Sequence, residues 1–452
     1  MTFARRIVPE DWEPFDKYAQ YVKEIGIKHT LHQRGIFLEV ARAVYGELSK
    51  RGCHGRLLPN LARVYLTSHW NIDFNMVPMF LSEKVTYLGL DDYGRNRINR
   101  HGKDIRAWNA VKAQAPLIES LVLKSHHSGL ARHKKEAARL GNVIGGLRHL
   151  KHFESLYLRL PDETIRYLTS LPSLRTLVIP IKDFRDLARI CDPKSNPSYS
   201  PQLCSLQTLH FRCDSLSLEG CLTALKSMNP TGLRELDISS FYGNLSPGEL
   251  ESLFVALRDH CDPPSFEAVY FSTHDLLGAI DIDLSDYYSR GLGFTTSDHL
   301  SPSIISFRVF KPFLSDYSSL KFIVLPLHVL DADDDEAEEI AACLPMLHRF
   351  NLASDPRGRI SQSRMTLRSI LSFVTHCRHL FELSLYIDVT LPSWPAPEAL
   401  RHLVHPALKR LSLGQSTVAR EDLENARDLL DNLLPMGDII WRAGWWAGYS
   451  CR

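Results

Sequence analysis

The sequence predicts an α/β solenoid, a curved parallel sheet with helices on its convex side, and three observations carry that prediction. A short apolar hexad, apolar-x-x-apolar-x-apolar, recurs twelve times along the 452 residues. Most of its copies follow one another by 27 to 35 residues, room for a strand and a full helix. The segments between copies carry helical periodicity. Together these mark a leucine-rich-repeat solenoid of about 12 to 13 irregular repeats.

Taken in order, the hexads begin with Leu61-x-x-Val64-x-Leu66, Val85-x-x-Leu88-x-Leu90 and Ile118-x-x-Leu121-x-Leu123. They continue through Phe153-x-x-Leu156-x-Leu158, Leu174-x-x-Leu177-x-Ile179, Leu206-x-x-Leu209-x-Phe211 and Leu233-x-x-Leu236-x-Ile238. Phe266-x-x-Val269-x-Phe271, Leu320-x-x-Ile323-x-Leu325, Leu347-x-x-Phe350-x-Leu352, Leu380-x-x-Leu383-x-Leu385 and Leu408-x-x-Leu411-x-Leu413 complete the set. Side chains alternate along a strand, so Leu236 and Ile238 point one way and Asp237 the other. Between hexads the period changes. Leu250, Leu253, Phe254 and Leu257 fall on one helical face, and Pro345 stops a helix carrying Ile340, Cys343 and Leu344. No such unit buries its apolar face alone, so neighbours must stack.

The pattern weakens in three places. Residues 1–50 offer one weak hexad, Val22-x-x-Ile25-x-Ile27, beside a helical stripe of Ile36, Val40, Ala43 and Val44, and read as an N-terminal helical cap. The repeat region then runs from 51 to 430. Inside it, the final positions Phe271 and Leu325 lie 54 residues apart, twice 27, so a repeat is degenerate there or replaced by a loop. The Asp-, Ser-, Gly- and Tyr-rich stretch 272–303 reads as that inserted loop. Residues 431–452 hold three of the seven Trp and read as a tail.

Composition bounds the function. Lys plus Arg number 53 against 52 Asp plus Glu, a net charge of +1, which gives no electrostatic reason to expect nucleic acid or anionic membrane as a partner. Nine Cys at irregular spacing, with no C-x-x-C pair, argue against a disulfide framework or a zinc module. The N-terminus lacks a signal peptide's apolar stretch, and no window is long and apolar enough for a membrane span. A cytoplasmic or nuclear location is expected.

Solenoids bind along the concave strand face. The outward residues between the apolar anchors are therefore the candidate protein-binding set: Tyr65, Tyr87, Tyr157, His210, Asp237, Tyr270, Arg349, Asn351, Glu382, Ser384 and Arg410. Tyr and Arg are types enriched at interface hot spots. No enzyme is expected, and no cofactor or metal: G-x-S-x-G, H-E-x-x-H and a phosphate-binding loop are all missing. Gly141 and Gly146 have that loop's spacing, but Leu147 and Arg148 stand where Lys and Ser/Thr belong, and a helix break is the better reading. Asp331, Asp333 and Asp335 match the first EF-hand ligands, yet Glu336 replaces the turn glycine and Ala342 the bidentate Glu. The run reads as a helix N-terminus instead. The basic stretch Arg95–Arg106 reads as a solvated helix face, and His126, His127 and His133 as surface histidines.

Three segments resemble the F-box and leucine-rich-repeat proteins of mushroom-forming fungi. IVPEDWEPFDKYAQYVKEIGI (7–27) is similar to the segment that follows the F-box there. Residues 305–353 and TLRSILSFVTHCRHLFELSLYIDVT (366–390) resemble that family's repeat runs. The resemblance implies a substrate receptor, with a target on the concave face and a Skp-type adaptor and cullin recruited by the F-box. That box would precede residue 7, where only MTFARR stands, so it is expected to be absent here. Target binding without ligase recruitment, as a standalone scaffold or inhibitor, is the alternative.

Overall fold

The computed structural model describes residues 12–26, 57–67, 77–92, 104–125, 133–155, 158–192, 203–215, 217–242, 246–273, 303–325, 328–352, 363–388, 407–414 and 438–441, with a few single positions besides. They fall into two compact units, one built of residues 1–181 and 190–206, the other of 182–189 and 207–452.

In unit 1, strands β1 (Glu24–Ile25), β2 (Arg63–Thr67), β3 (Tyr87–Asp92), β4 (Ser120–Ser125), β5 (His152–Ser155) and β6 (Thr176–Asp183) pair in sequence order, every pair parallel. Before or between them lie α1 (Trp12–Ala19), α2 (Val77–Phe80), α3 (Asp104–Gln114), α4 (His133–Ile144) and α5 (Asp162–Thr169). Parallel neighbours need such crossovers, because a tight hairpin can join only antiparallel strands.

Unit 2 repeats the scheme. Strands β7 (Thr208–Ser215), β8 (Glu235–Tyr242), β9 (Ala268–Thr273), β11 (Phe322–Val324), β13 (Arg349–Asn351), β14 (Glu382–Ser384), β15 (Arg410–Gly414) and β16 (Asp438–Trp441) form its parallel ladder. Its helices are α6 (Phe184–Cys191), α7 (Leu218–Met228), α8 (Pro247–His260), α9 (Phe307–Asp316), α10 (Asp334–Cys343) and α11 (Leu367–His376). A smaller parallel pair, β10 (Ser303–Ser306) with β12 (His328–Asp331), precedes α9 and α10. The fold is the leucine-rich-repeat solenoid that the hexads predict.

The inward side chains set the register. Val64, Leu88, Leu121, Phe153 and Leu177 occupy matching positions in unit 1, as do Leu209, Leu236, Val269, Ile323, Phe350, Leu383 and Leu411 in unit 2, all of them fully buried. Each contributes about 1.5–3 kcal/mol by leaving water. A slip of one residue would turn the set to solvent, so pairing is firmly specified. Helices cover this side: Phe184 meets Phe211 edge-on at 5.2 Å, and Phe350 packs against Phe310 at 6.5 Å and Phe373 at 5.0 Å.

Register corrects one hexad. Phe153 pairs with Leu121 and Leu177, so it is the second anchor of its repeat and not the first. The repeat reads Leu150-x-x-Phe153-x-Ser155, with all three anchors fully buried. Ser155 fits the core because its hydroxyl donates to the Leu158 carbonyl at 3.1 Å.

The weak regions resolve in the same way. Ile25 of the supposed cap lies in β1, paired with Val64, so the sheet starts inside residues 1–50; the Ile36–Val44 stripe lies outside the described residues. Strand β9 pairs directly with β11, so no main-sheet strand is missing between Phe271 and Leu320, and the doubled interval is one repeat plus an insertion. Residues 274–302 lie outside the described set. At the other end β16 pairs with β15, so part of the 431–452 stretch is a further strand of the ladder.

Of the two glycines read as a helix break, Gly146 lies just past the end of α4 at Ile144, whereas Gly141 lies inside the helix, where an added Cβ would collide with Thr164 Oγ1. Glycine is needed there for close helix packing. The acidic run behaves as the sequence predicts: Asp333 caps α10 in a reciprocal box with Glu336. Asp334 then accepts hydrogen bonds from Thr366 N and Oγ1 (2.8 and 2.7 Å) and from Ser369 N (3.1 Å), tying α10 to the start of α11.

Candidate partner-binding face

The face opposite the helices carries two side-chain columns per repeat, one just before and one just after the central anchor. In unit 1 the after-column holds Tyr65, Gly89, Val122, Glu154 and Val178. Glu154 thus takes the place that the misframed hexad gave to Tyr157, which lies outside the described residues. The Tyr65 ring lies across Gly89, where an added Cβ would collide with it. That is close packing of one strand on the next. The before-column includes Arg63 and Tyr87, with the Arg63 guanidinium 4.4 Å from the Tyr87 ring centroid and 3.6 Å from Glu24.

Unit 2 brings together the rest of the sequence-predicted residues. His210, Asp237, Tyr270, Asn351 and Ser384 stand in its after-column, and Arg349, Glu382 and Arg410 in its before-column. They form two clusters with an aromatic stripe between.

The first cluster centres on Asp237. His210 Nε2 lies 3.3 Å from Asp237 Oδ2 and 3.3 Å from Ser239 Oγ, while Ser239 Oγ donates to Asp237 Oδ1 at 3.2 Å. Burial pushes the Asp237 carboxyl up to about 7, with the Ser239 hydrogen bond pulling down, Glu235 pushing up and Arg212 pulling down. Glu235 is also raised, mainly by burial, against the Thr208 hydroxyl that donates to it at 3.4 Å. Serine, histidine and aspartate meet here, but not as a hydrolytic triad. There the histidine takes the serine proton on one ring nitrogen and holds the aspartate with the other. Here one nitrogen faces both, and the serine proton goes to the aspartate.

The second cluster is a charge ladder across three strands. Arg349 Nη2 donates to Glu382 Oε1 at 2.9 Å, and Arg410 Nη1 lies 3.7 Å from Glu382 Oε2. Glu382 is buried, while the Arg410 side chain is 48% exposed and presents its remaining donors outward. Between the clusters runs Tyr270, Phe322, His348 and Phe381. The Tyr270 and Phe322 rings stack at 6.2 Å, and Phe322 meets His348 and Phe381 edge-on at 5.6 and 6.4 Å. All four are half-buried. Burial of Tyr270 raises its hydroxyl well above the ordinary range.

Sequence reasoning missed Glu235, Ser239, Phe322, His348 and Phe381. Glu235 and Phe322 sit in the before-column, a position read from the hexads only in some repeats, and Ser239 lies one residue past its hexad. No group of three or more metal-ligating side chains occurs among the described residues, and no described helix is long and apolar enough to cross a membrane. The basic stretch 93–103 and His126 and His127 lie outside the described residues.

No protein-family model matches the chain, and no curated protein matches it. Solved structures with a similar trace include a leucine-rich-repeat protein of Leptospira interrogans, at TM-score 0.38 and 14% identity over 85% of this chain and 72% of that one. An internalin from Listeria monocytogenes gives TM-score 0.38 and 9% identity, covering 90% of this chain and 95% of its own. Rad7, solved with Elc1 from yeast, gives TM-score 0.38 and 11% identity over 89% and 83%. At these values the fold assignment stands on the strand ladder itself.

Proposed function

We propose that this chain is a protein-recognition module that holds its partner on the helix-free strand face of unit 2. The observation that carries this reading is the grouping of half-buried aromatics (Tyr270, Phe322, Phe381) with Arg349 and Arg410 on one strand face. Aromatic and arginine side chains are the ones that dominate interface energetics when a partner desolvates them. Catalysis finds no support in the geometry of the Ser239, His210 and Asp237 cluster.

The likeness of segments 7–27, 305–353 and 366–390 to F-box and leucine-rich-repeat proteins supports a finer reading. On it the chain recognises the substrate of an F-box-type ubiquitin ligase, or descends from such a receptor, in the cytoplasm or nucleus. A Skp-type adaptor and cullin belong to the assembly only if an F-box precedes this sequence. A standalone scaffold or inhibitor using the same face is the other reading.

Affinity capture with the intact chain and with a Tyr270→Ala/Phe322→Ala/Arg349→Ala variant tests both levels. Partners lost from the variant support the face, and partners retained by a folded variant overturn it. Adaptor and cullin among the captured proteins support the ligase reading; their absence alongside a specific partner favours the scaffold.

A further inference from the structure

From β8 to β14 every strand of the main ladder is entered through the same turn. The amide of the repeat's first anchor donates to the carbonyl three residues back: Leu233 to Pro230, Phe266 to Pro263, Leu320 to Tyr317, Leu347 to Leu344 and Leu380 to Cys377, at 3.0–3.3 Å. A carbonyl accepts at any pH. The turn into β15 departs from this pattern. There the Leu408 amide donates to the ring of the residue three back, His405, with N to Nδ1 at 3.0 Å. The other ring nitrogen, Nε2, lies 3.1 Å from the Cys377 carbonyl, which also receives the Leu380 amide of the preceding turn. His405 is 7% exposed. One buried side chain therefore joins two consecutive turns, and in the second it replaces a backbone acceptor.

This geometry dictates the protonation state. An amide N–H can only donate, so Nδ1 presents its lone pair; a carbonyl can only accept, so Nε2 carries the proton. The ring is held neutral in that tautomer. An imidazolium has a proton on both nitrogens and cannot accept from Leu408. Taking a second proton thus strands a buried amide and puts a charge where water is excluded. Burial is the largest influence on His405 and lowers its value below the ordinary 6.5; the hydrogen bond to the Cys377 carbonyl raises it, and His379, in the turn after α11, lowers it again by like charge. The Cys377 thiol of that turn donates to the Ala341 carbonyl at 3.6 Å and, pushed up to about 12 by burial, stays neutral. Among the described residues no carboxylate pairs with the ring to hold it charged.

We propose that His405 is an acid-sensitive joint of the solenoid: when it takes a second proton, the turn into β15 opens, and the strand, with Arg410, comes away from β14. The Lys409 and Arg410 amides, which donate to the Phe381 carbonyl just beyond that turn, are the first to be freed. The sign follows from the lowered value. Folded chains keep His405 neutral where opened chains already protonate it, so the joint is whole above about 6.5 and weakens as pH falls through the folded value. Strands β8 to β14 lack this sensitivity at their entry turns, because their acceptors are carbonyls. The joint stands whatever the strand face binds.

Amide hydrogen exchange on the full chain tests it, read by peptide mass spectrometry between about pH 7.5 and 5 and corrected for the intrinsic pH dependence of exchange. Peptides covering 408–414 should lose protection as pH falls below about 6.5, by up to roughly tenfold per pH unit, the limit for one proton. Peptides covering 347–351 should keep theirs. His405→Asn places an oxygen where Nδ1 stands and has nothing to titrate, so its protection at 408–414 should be level with pH. His379→Asn leaves the joint in place and should retain the acid loss. The parent profile needs no variant, so the joint stays testable even if His405→Asn does not fold. Protection at 408–414 that is level with pH in the parent overturns the proposal, as does an acid loss that persists in His405→Asn. A loss shared equally by 347–351 overturns it too, because unit 2 would then be opening as a whole.

Discussion

Asp237→Asn should stabilise this protein above neutral pH and leave it unchanged in acid. Asp237 is largely buried, and its carboxyl rises from an ordinary 3.8 to about 7. The folded chain therefore binds a proton between those limits that the unfolded chain has released. Stability from this group is fully present below about 4 and is lost as pH rises through about 7. Each tenfold change in proton affinity is worth about 1.4 kcal/mol, so the ceiling on the loss is about 4 kcal/mol. The real figure is smaller, because the side chain keeps 15% exposure and His210 shares its field. Asparagine fills the same volume, still accepts from Ser239 and can donate to His210 Nε2, so a gain of roughly 1–2 kcal/mol at pH 8 is expected. Urea unfolding of both proteins at pH 5 and pH 8 reads it, using the transition assigned to unit 2 because repeat arrays can melt in stages. A variant less stable than its parent at pH 8, or a difference that does not change with pH, refutes the argument.

Three other substitutions probe the scaffold. Asp334→Ala strands the Thr366 and Ser369 donors and should lower stability by about 2–4 kcal/mol, with Asp334→Asn restoring part of it; urea midpoints report both. Phe153→Ala, at a fully buried central anchor, should cost about 3–5 kcal/mol by the same measurement, and a loss under about 1 kcal/mol would show that the corrected register is wrong. Gly89→Ala should cost about 1–3 kcal/mol because the new Cβ meets the Tyr65 ring, and pairing it with Tyr65→Ala should recover most of that loss; additive effects in this cycle would contradict the close packing.

How much of this could be read from the sequence follows from what each feature depends on. The ladder was legible because its anchors are apolar and periodic, and a filter for apolar residues finds them. It failed where a polar residue holds a core position: Ser155 is buried on its own hydrogen bond, so the frame slid from Leu150–Phe153 to Phe153–Leu158 and carried the site prediction from Glu154 to Tyr157. The ends of the ladder were missed for a different reason. Strands β1 and β16 carry Val22-x-x-Ile25-x-Ile27 and Met436-x-x-Ile439-x-Trp441, apolar hexads with no leucine in them to stand out. At the site, single positions such as Asp237 and Arg349 were legible from alternation alone. Their grouping was not. That His210 meets Asp237, or that Arg349 and Arg410 share Glu382, depends on pairing between strands about thirty residues apart, and only the register supplies it.

The two faces of each strand thus answer to different constraints. Register is fixed from the inward side, where the central anchors from Val64 to Leu411 are fully buried, and nothing about it requires a particular residue on the outward side. A carboxylate such as Asp237, half-satisfied and held against its ordinary ionisation, weakens the fold it stands on, and the isosteric amide would serve the scaffold better. Arg349 and Arg410 differ, because both ion-pair with Glu382 between them. The outward residues with the least structural justification are therefore Asp237, held against its ordinary ionisation, and Asn351, whose buried Oδ1 accepts no hydrogen bond among the described residues.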